Sequence, residues 1–147
     1  QAFHWFNPET TRAELLRVLR SPAKVGIVWN VRQADTTPFL IAYEAFLHEW
    51  GTDYAAVQAR QAHPEESLKA FFGDLAIASA TFPNEQRFGY EGLEGRLLSC
   101  SYVPKAGDPT FEAMLNALRQ LFEAHQESGE VAFHYDVRVY AGALTQS

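Results

Sequence analysis

Apolar positions along this chain follow two periods, one helical and one extended. Over residues 9–20, Ala13, Leu15, Leu16 and Leu19 share one face, Asn7 and Pro8 supply a cap and a first helical position, and Pro22 stops the run, so the spacing predicts a helix. Residues 25–29 (VGIVW) form a short apolar run rich in β-branched side chains, the pattern of a strand covered on both faces in a parallel sheet. From residue 38 to 50, Phe39, Tyr43, Phe46, Leu47 and Trp50 return to helical spacing, with Gly51 at the C-terminal end. A helix over 65–72, a strand over 75–82 ended by Pro83, and a helix over 91–101 weakened by Gly92 and Gly95 follow.

The longest signal runs over 108–127. There Phe111, Met114, Leu115, Leu118, Leu121, Phe122 and His125 form a stripe, from which Phe111, Leu115, Leu118 and Phe122 are expected in the core. Residues 130–140 alternate, Val131, Phe133, Tyr135, Val137 and Val139 against Ala132, His134, Asp136, Arg138 and Tyr140, and read as a strand. Helices interleaved with strands give an α/β class, and the absence of a repeat or linker assigns residues 1–147 to one domain.

Composition narrows the functional classes. With 47% hydrophobic and 20% charged residues the chain is an ordinary globular protein able to bury a core. A net charge of -6 with scattered Lys and Arg argues against a nucleic-acid partner. The single cysteine, Cys100, cannot close an internal disulfide, which makes the cytoplasm the expected compartment. No apolar run approaches the ~20 residues of a membrane span. The chain opens on Gln1 rather than Met, and is expected to be part of a longer product.

Several chemistries lack their residues. His4, His48, His63, His125 and His134 show no metal-ligand spacing, so no metal is expected. Neither Ser99 nor Ser101 stands in a nucleophile elbow, and the pair Gly92 and Gly95 opens no strand-to-helix phosphate loop.

A family pattern remains. The segments QAFHWFNP at 1–8, LLRVLR at 15–20 and VGIVWN at 25–30 resemble the end of the fourth strand, the next helix and the fifth strand of class I S-adenosylmethionine-dependent methyltransferases. NEQRF at 84–88, EGLEGRLLS at 91–99, SYVP at 101–104 and YDVRVY at 135–140 are similar to a bacterial branch of type 11-like small-molecule methyltransferases. The resemblance covers nearly the whole chain and corresponds to the C-terminal half of the family alone. It implies a partial Rossmann-like three-layer sandwich, with strands four to seven of the methyltransferase sheet, covering helices, and the last strand inside the sheet. Residues 31–73 then form a substrate-covering helical insertion. The turn at 21–24 (SPAK) departs from the family's Pro-Gly-Gly and offers no glycine for a positive φ. The family's glycine-rich loop and ribose-binding acid have no counterpart, so S-adenosylmethionine is the cofactor of the complete enzyme and is not expected to bind this chain tightly.

The resemblance also nominates site residues. Ligands of open α/β sheets bind at the carboxyl ends of the strands, which implies Gln1, Ala2 and Phe3 at the cofactor and His4 as a base or orienting group for the methyl acceptor. Trp5, Asn30, Tyr43 and Arg96 are the substrate-side candidates. Arg96 is the candidate to meet an acidic substrate. Each has an open alternative: core packing for Phe3, Trp5 and Tyr43, a backbone hydrogen bond for His4, a turn for Asn30, simple exposure or an ion pair for Arg96. His134, Asp136 and Arg138 share one face of the last strand and fit a satisfied polar network. The expected partners are a small-molecule methyl acceptor and, along the apolar edge at 25–29 with Phe3 to Phe6, either the missing N-terminal half or a second copy making a homodimer. Two rivals stay open: a stand-alone, non-catalytic binding or assembly module derived from such an enzyme, and an unrelated α+β ligand-binding domain.

Overall fold

A computed structural model describes residues 2–61 and 64–145, the side chains of 59–61 and 64 apart. A 3-10 turn at Phe3–Trp5 precedes α1 (Pro8–Val18) and β1 (Lys24–Arg32). Three helices follow, α2 (Pro38–Trp50), α3 (Tyr54–Gln61) and α4 (Pro64–Phe72), then β2 (Ile77–Phe88), α5 (Tyr90–Leu98), α6 (Phe111–His125) and β3 (Val131–Ala143). The strands make one antiparallel sheet in the order β1-β3-β2, so the last strand lies between the two earlier ones.

Local chemistry sets the helix starts. The Asn7 side chain accepts from Thr10 N–H at 3.0 Å and Pro8 stands at the first turn of α1, as Thr37 accepts from Leu40 N–H at 3.2 Å ahead of Pro38 in α2. Each cap satisfies a donor that the first turn cannot bond internally.

Four expectations change. The first residues do not end a strand: Trp5 N–H donates to Ala2 O at 2.9 Å and Phe6 N–H to Phe3 O at 3.0 Å, closing a 3-10 turn instead. β1 is not buried on both faces; in this antiparallel sheet it stands at one end of the order, and Ile27 is its single buried residue. Proline does not stop β2, because a strand at the end of the order can spare one N–H, and β2 runs through Pro83 to Phe88. Along α6, Met114 and Leu118 are fully buried, while Phe111, Leu115 and Phe122 pack only partly against the core.

The glycine-free turn before β1 takes its own shape. Ala23 adopts φ +51° while almost wholly buried, its N–H donating to Arg20 O at 2.8 Å and its carbonyl accepting from Leu144 N–H at 3.1 Å. An alanine in the left-handed region is strained. These two bonds and its burial hold it there.

The chain divides into two compact units, Gln1–Val31 with Ala59–Pro83 and Asp136–Ser147, and Arg32–Gln58 with Asn84–Tyr135. In the first, Phe3, Ala23, Ile27, Leu68, Phe71, Phe72 and Leu144 form the core, and Phe3 meets Phe71 edge-on at 5.0 Å. A Cβ at Gly142 would lie 3.1 Å from the Phe72 ring and from Ala76 O, so a larger residue there would require these neighbours to give by a few tenths of an ångström. In the second unit, α2, α5, α6 and the first half of β3 enclose Leu40, Tyr43, Leu47, Leu93, Leu97, Met114, Leu118 and Phe133. Phe39 and Tyr43 both meet Phe133 edge-on, at 5.1 and 5.0 Å, the arrangement that aromatic quadrupoles favour.

Candidate functional site

The second unit holds five of the chain's six tyrosines. Arg32, at the end of β1, reaches Glu44 of α2 in a close ion pair, and both side chains are about six-sevenths buried. The Tyr54 hydroxyl donates to the Glu44 carboxylate at 2.8 Å and accepts from Arg32 Nη2 at 2.8 Å. Gln58 Nε2 adds a further 2.8 Å bond to Glu44 Oε1, and His48 Nε2 stands 3.4 Å from the same oxygen. Burial works against both charges, and the mutual hydrogen bond overcomes it: Glu44 is held below the usual carboxylate range and Arg32 above its ordinary value. Burial likewise pushes the Tyr54 hydroxyl up to about 12. Arg32 is therefore a saturated cation.

Arg96, on the last turn of α5, is its counterpart without a carboxylate. Its guanidinium carbon lies 4.6 Å from the Phe133 ring centre, 5.5 Å from Tyr135 and 5.9 Å from Phe88, so three rings face the cation. No acidic side chain pairs with it among the described residues. Beside it the Tyr135 hydroxyl is buried and makes no well-formed hydrogen bond among the described residues. Burial pushes Tyr135 up, while the nearby charges of Arg96 and Arg32 oppose the rise. Tyr43 behaves the same way, raised chiefly by burial with both arginines pulling against it, so the two cations flank the two tyrosines. Arg32 also lies over the Tyr43 ring at 5.3 Å.

Of the nominated substrate residues, Tyr43 and Arg96 both lie in the second unit, where Tyr43 is at the same time a core residue. The others belong to the first unit. Asn30 lies half-buried in β1, and His4 and Trp5 sit on the 3-10 turn with ring centres 4.9 Å apart, Trp5 being 65% exposed. Phe3 is core, Ala2 is exposed, and Gln1 lies outside the described residues. Sequence reading passed over Arg32, Glu44, Tyr54 and Tyr135, which come from four separate elements and leave no spacing signal.

The described residues do not fit S-adenosylmethionine by themselves. The Phe3 side chain is spent on the core, and the glycines that approach other groups closely do so against their own chain, Gly51 on Leu47 O and Tyr54, Gly92 on Phe88, Gly142 on Phe72. Among the described residues no group of three or more His, Cys, Asp or Glu is placed to hold a metal, and no helix is long and apolar enough to cross a membrane. A recess of about 430 Å³ in the second unit has His125 and His134 on its walls. Both are engaged within the chain: His125 Nδ1 donates to Leu121 O at 2.9 Å and His134 Nε2 meets Glu85 Oε2 at 3.2 Å.

No family model matches the chain. It is similar to a protein of Schizosaccharomyces pombe named "Uncharacterized methyltransferase-like C25B8.10", with 40% identity over 147 residues. The alignment takes in 96% of this chain and 55% of that protein, so the chain spans about half the length of the curated relative it matches. Nearly the whole of this chain is therefore similar to part of a methyltransferase-like protein.

Proposed function

We propose that this chain is the acceptor-binding portion of an S-adenosylmethionine-dependent methyltransferase that acts on a small molecule. The observation that carries the reading is the strand order β1-β3-β2. A final strand inserted between two earlier ones is the arrangement the class I methyltransferase resemblance implies. The similarity to the fission-yeast methyltransferase-like protein supports the same conclusion. In the complete enzyme the cofactor supplies an electrophilic methyl group. This chain's own contribution is to bind and orient the acceptor through Arg96 and Tyr43 of the second unit. Methyl transfer rewards such positioning because the acceptor's lone pair must point at the methyl carbon.

The test is release of S-adenosylhomocysteine by the protein as its gene encodes it, given S-adenosylmethionine and a small-molecule cell extract. Release above the extract-only control supports the reading. Tight cofactor binding with no release from any extract, or no cofactor binding by the full gene product, overturns it.

A further inference from the structure

We infer that Arg96 and the Tyr135 hydroxyl form a carboxylate-binding subsite, so that the molecule this unit takes is a small organic acid. The inference deepens the acceptor-binding reading above and rests on it for the word acceptor alone; the subsite itself rests on geometry.

Two cations sit in one aromatic core, and the fold treats them differently. Arg32 receives Glu44, Tyr54 and a ring, whereas Arg96 receives three rings and no anion among the described residues. Rings stabilise a guanidinium through its face and leave its edge to other partners; here one N–H leans on the Tyr135 oxygen without closing a well-formed bond, and no carboxylate among the described residues takes the donors. Those donors form a fork that matches the two oxygens of a carboxylate. Tyr135 is 3% exposed, and its hydroxyl lacks a hydrogen-bond acceptor although burial makes such a gap costly. A carboxylate on Arg96 would supply that acceptor. One ligand group would thereby answer both irregularities, the unpaired cation and the unsatisfied hydroxyl. Arg96 is only half-buried, which gives the anion an approach from solvent. Glu44 cannot serve from within, because Arg32, Tyr54 and Gln58 already hold its oxygens.

The carboxylate has two conceivable sources, an acceptor acid or the methionine end of the cofactor, and the experiment separates them. The chain is titrated calorimetrically with benzoate and succinate, with benzamide and succinamide as neutral counterparts, with inorganic phosphate, and with S-adenosylmethionine. Arg96→Gln and Tyr135→Phe are measured alongside, with circular dichroism to establish folding. Tyr135→Phe removes an unsatisfied hydroxyl and keeps the ring, so it remains folded. The expected result is millimolar or tighter binding of at least one acid but of neither amide, weakened tenfold or more by Arg96→Gln and severalfold by Tyr135→Phe. Binding of the amides as well as the acids overturns the inference, as does binding of phosphate alone or of no carboxylate at all. Acid binding that Tyr135→Phe and Arg96→Gln both leave unchanged overturns the assignment to these residues. Arg96-dependent binding of S-adenosylmethionine in preference to the acids overturns the acceptor source. Because the readout is binding, a protein that binds acids through Arg96 and transfers no methyl group refutes the proposed function and leaves the subsite standing.

Discussion

Removing the charge of Glu44 should destabilise the fold far more than an ordinary ion-pair substitution. The side chains of Arg32 and Glu44 are only 14% and 16% exposed, and the carboxylate also holds Tyr54 and Gln58. Breaking a buried pair from one side strands the other charge and costs about 3–5 kcal/mol. Glu44→Gln keeps some hydrogen bonding in a site that is not wholly closed to solvent, so the lower end, about 3 kcal/mol, is expected. At roughly 2–4 °C per kcal/mol for a chain of this size, the melting midpoint should fall by about 6–12 °C. Urea unfolding followed by circular dichroism gives the free energy. Replacing both charges, Arg32→Met with Glu44→Leu, should recover most of the loss, because an apolar pair of similar volume incurs no desolvation. Acid provides a second reading. Glu44 has a native value below its ordinary 4.5, so its stabilisation is present above about pH 4.5 and is lost as pH falls through the lowered native value. The difference between wild type and Glu44→Gln should shrink accordingly. A single-variant cost under about 0.5 kcal/mol, the range of surface substitutions, or a double variant as unstable as the single, refutes the reasoning.

Leu118 is fully buried at the centre of α6, and Leu118→Ala should cost about 2–5 kcal/mol in urea unfolding; a change under about 0.5 would show the stripe to be exposed. Tyr54 ionises natively at about 12 against an ordinary 10, so the stability it contributes is whole below pH 10 and lost as pH rises toward 12. A urea midpoint that stays level from pH 9 to 11.5 would contradict that placement. Calorimetric titration of the chain with S-adenosylmethionine should give no low-micromolar binding, since the described residues offer no cradle for it; such binding would show that this chain holds the cofactor by itself. The homodimer expected through Phe3 to Phe6 would use the exposed Trp5 and Phe6, so light scattering should show a mass above that of one chain, reduced by Trp5→Glu, and a stable monomer at high concentration refutes it.

The elements written in strong periodicity were legible before the structure: α1, α2, α6 and the start of β3 fall within two or three residues of their expected bounds. What escaped was set by context. α3 reads Tyr-Ala-Ala-Val-Gln-Ala-Arg-Gln, with no apolar stripe to announce it, and β2 crosses a proline that only its place in the sheet makes tolerable. The apolar run in β1 suggested burial that its place at the end of the order does not supply. Arg96 could be singled out as a candidate from its segment, but not its state, because Phe88, Phe133 and Tyr135 reach it from β2 and β3. Arg32 and Glu44, twelve positions apart on a strand and a helix, had no local signature at all.

The threading of the chain through its two units has a consequence for synthesis. The first unit draws on three separated segments, and its core includes Leu144, whose N–H also bonds Ala23 O. As the chain leaves the ribosome at about 5–20 residues per second, α1 and β1 are out for several seconds before the segment that completes their core exists. During that interval Phe3, Ile27, Phe71 and Phe72 have no Leu144 to close over them, whereas all of the second unit's residues precede Asp136. The unit begun first is thus the one finished last, and the nascent chain must keep an open apolar core from associating until β3 has passed through the exit tunnel.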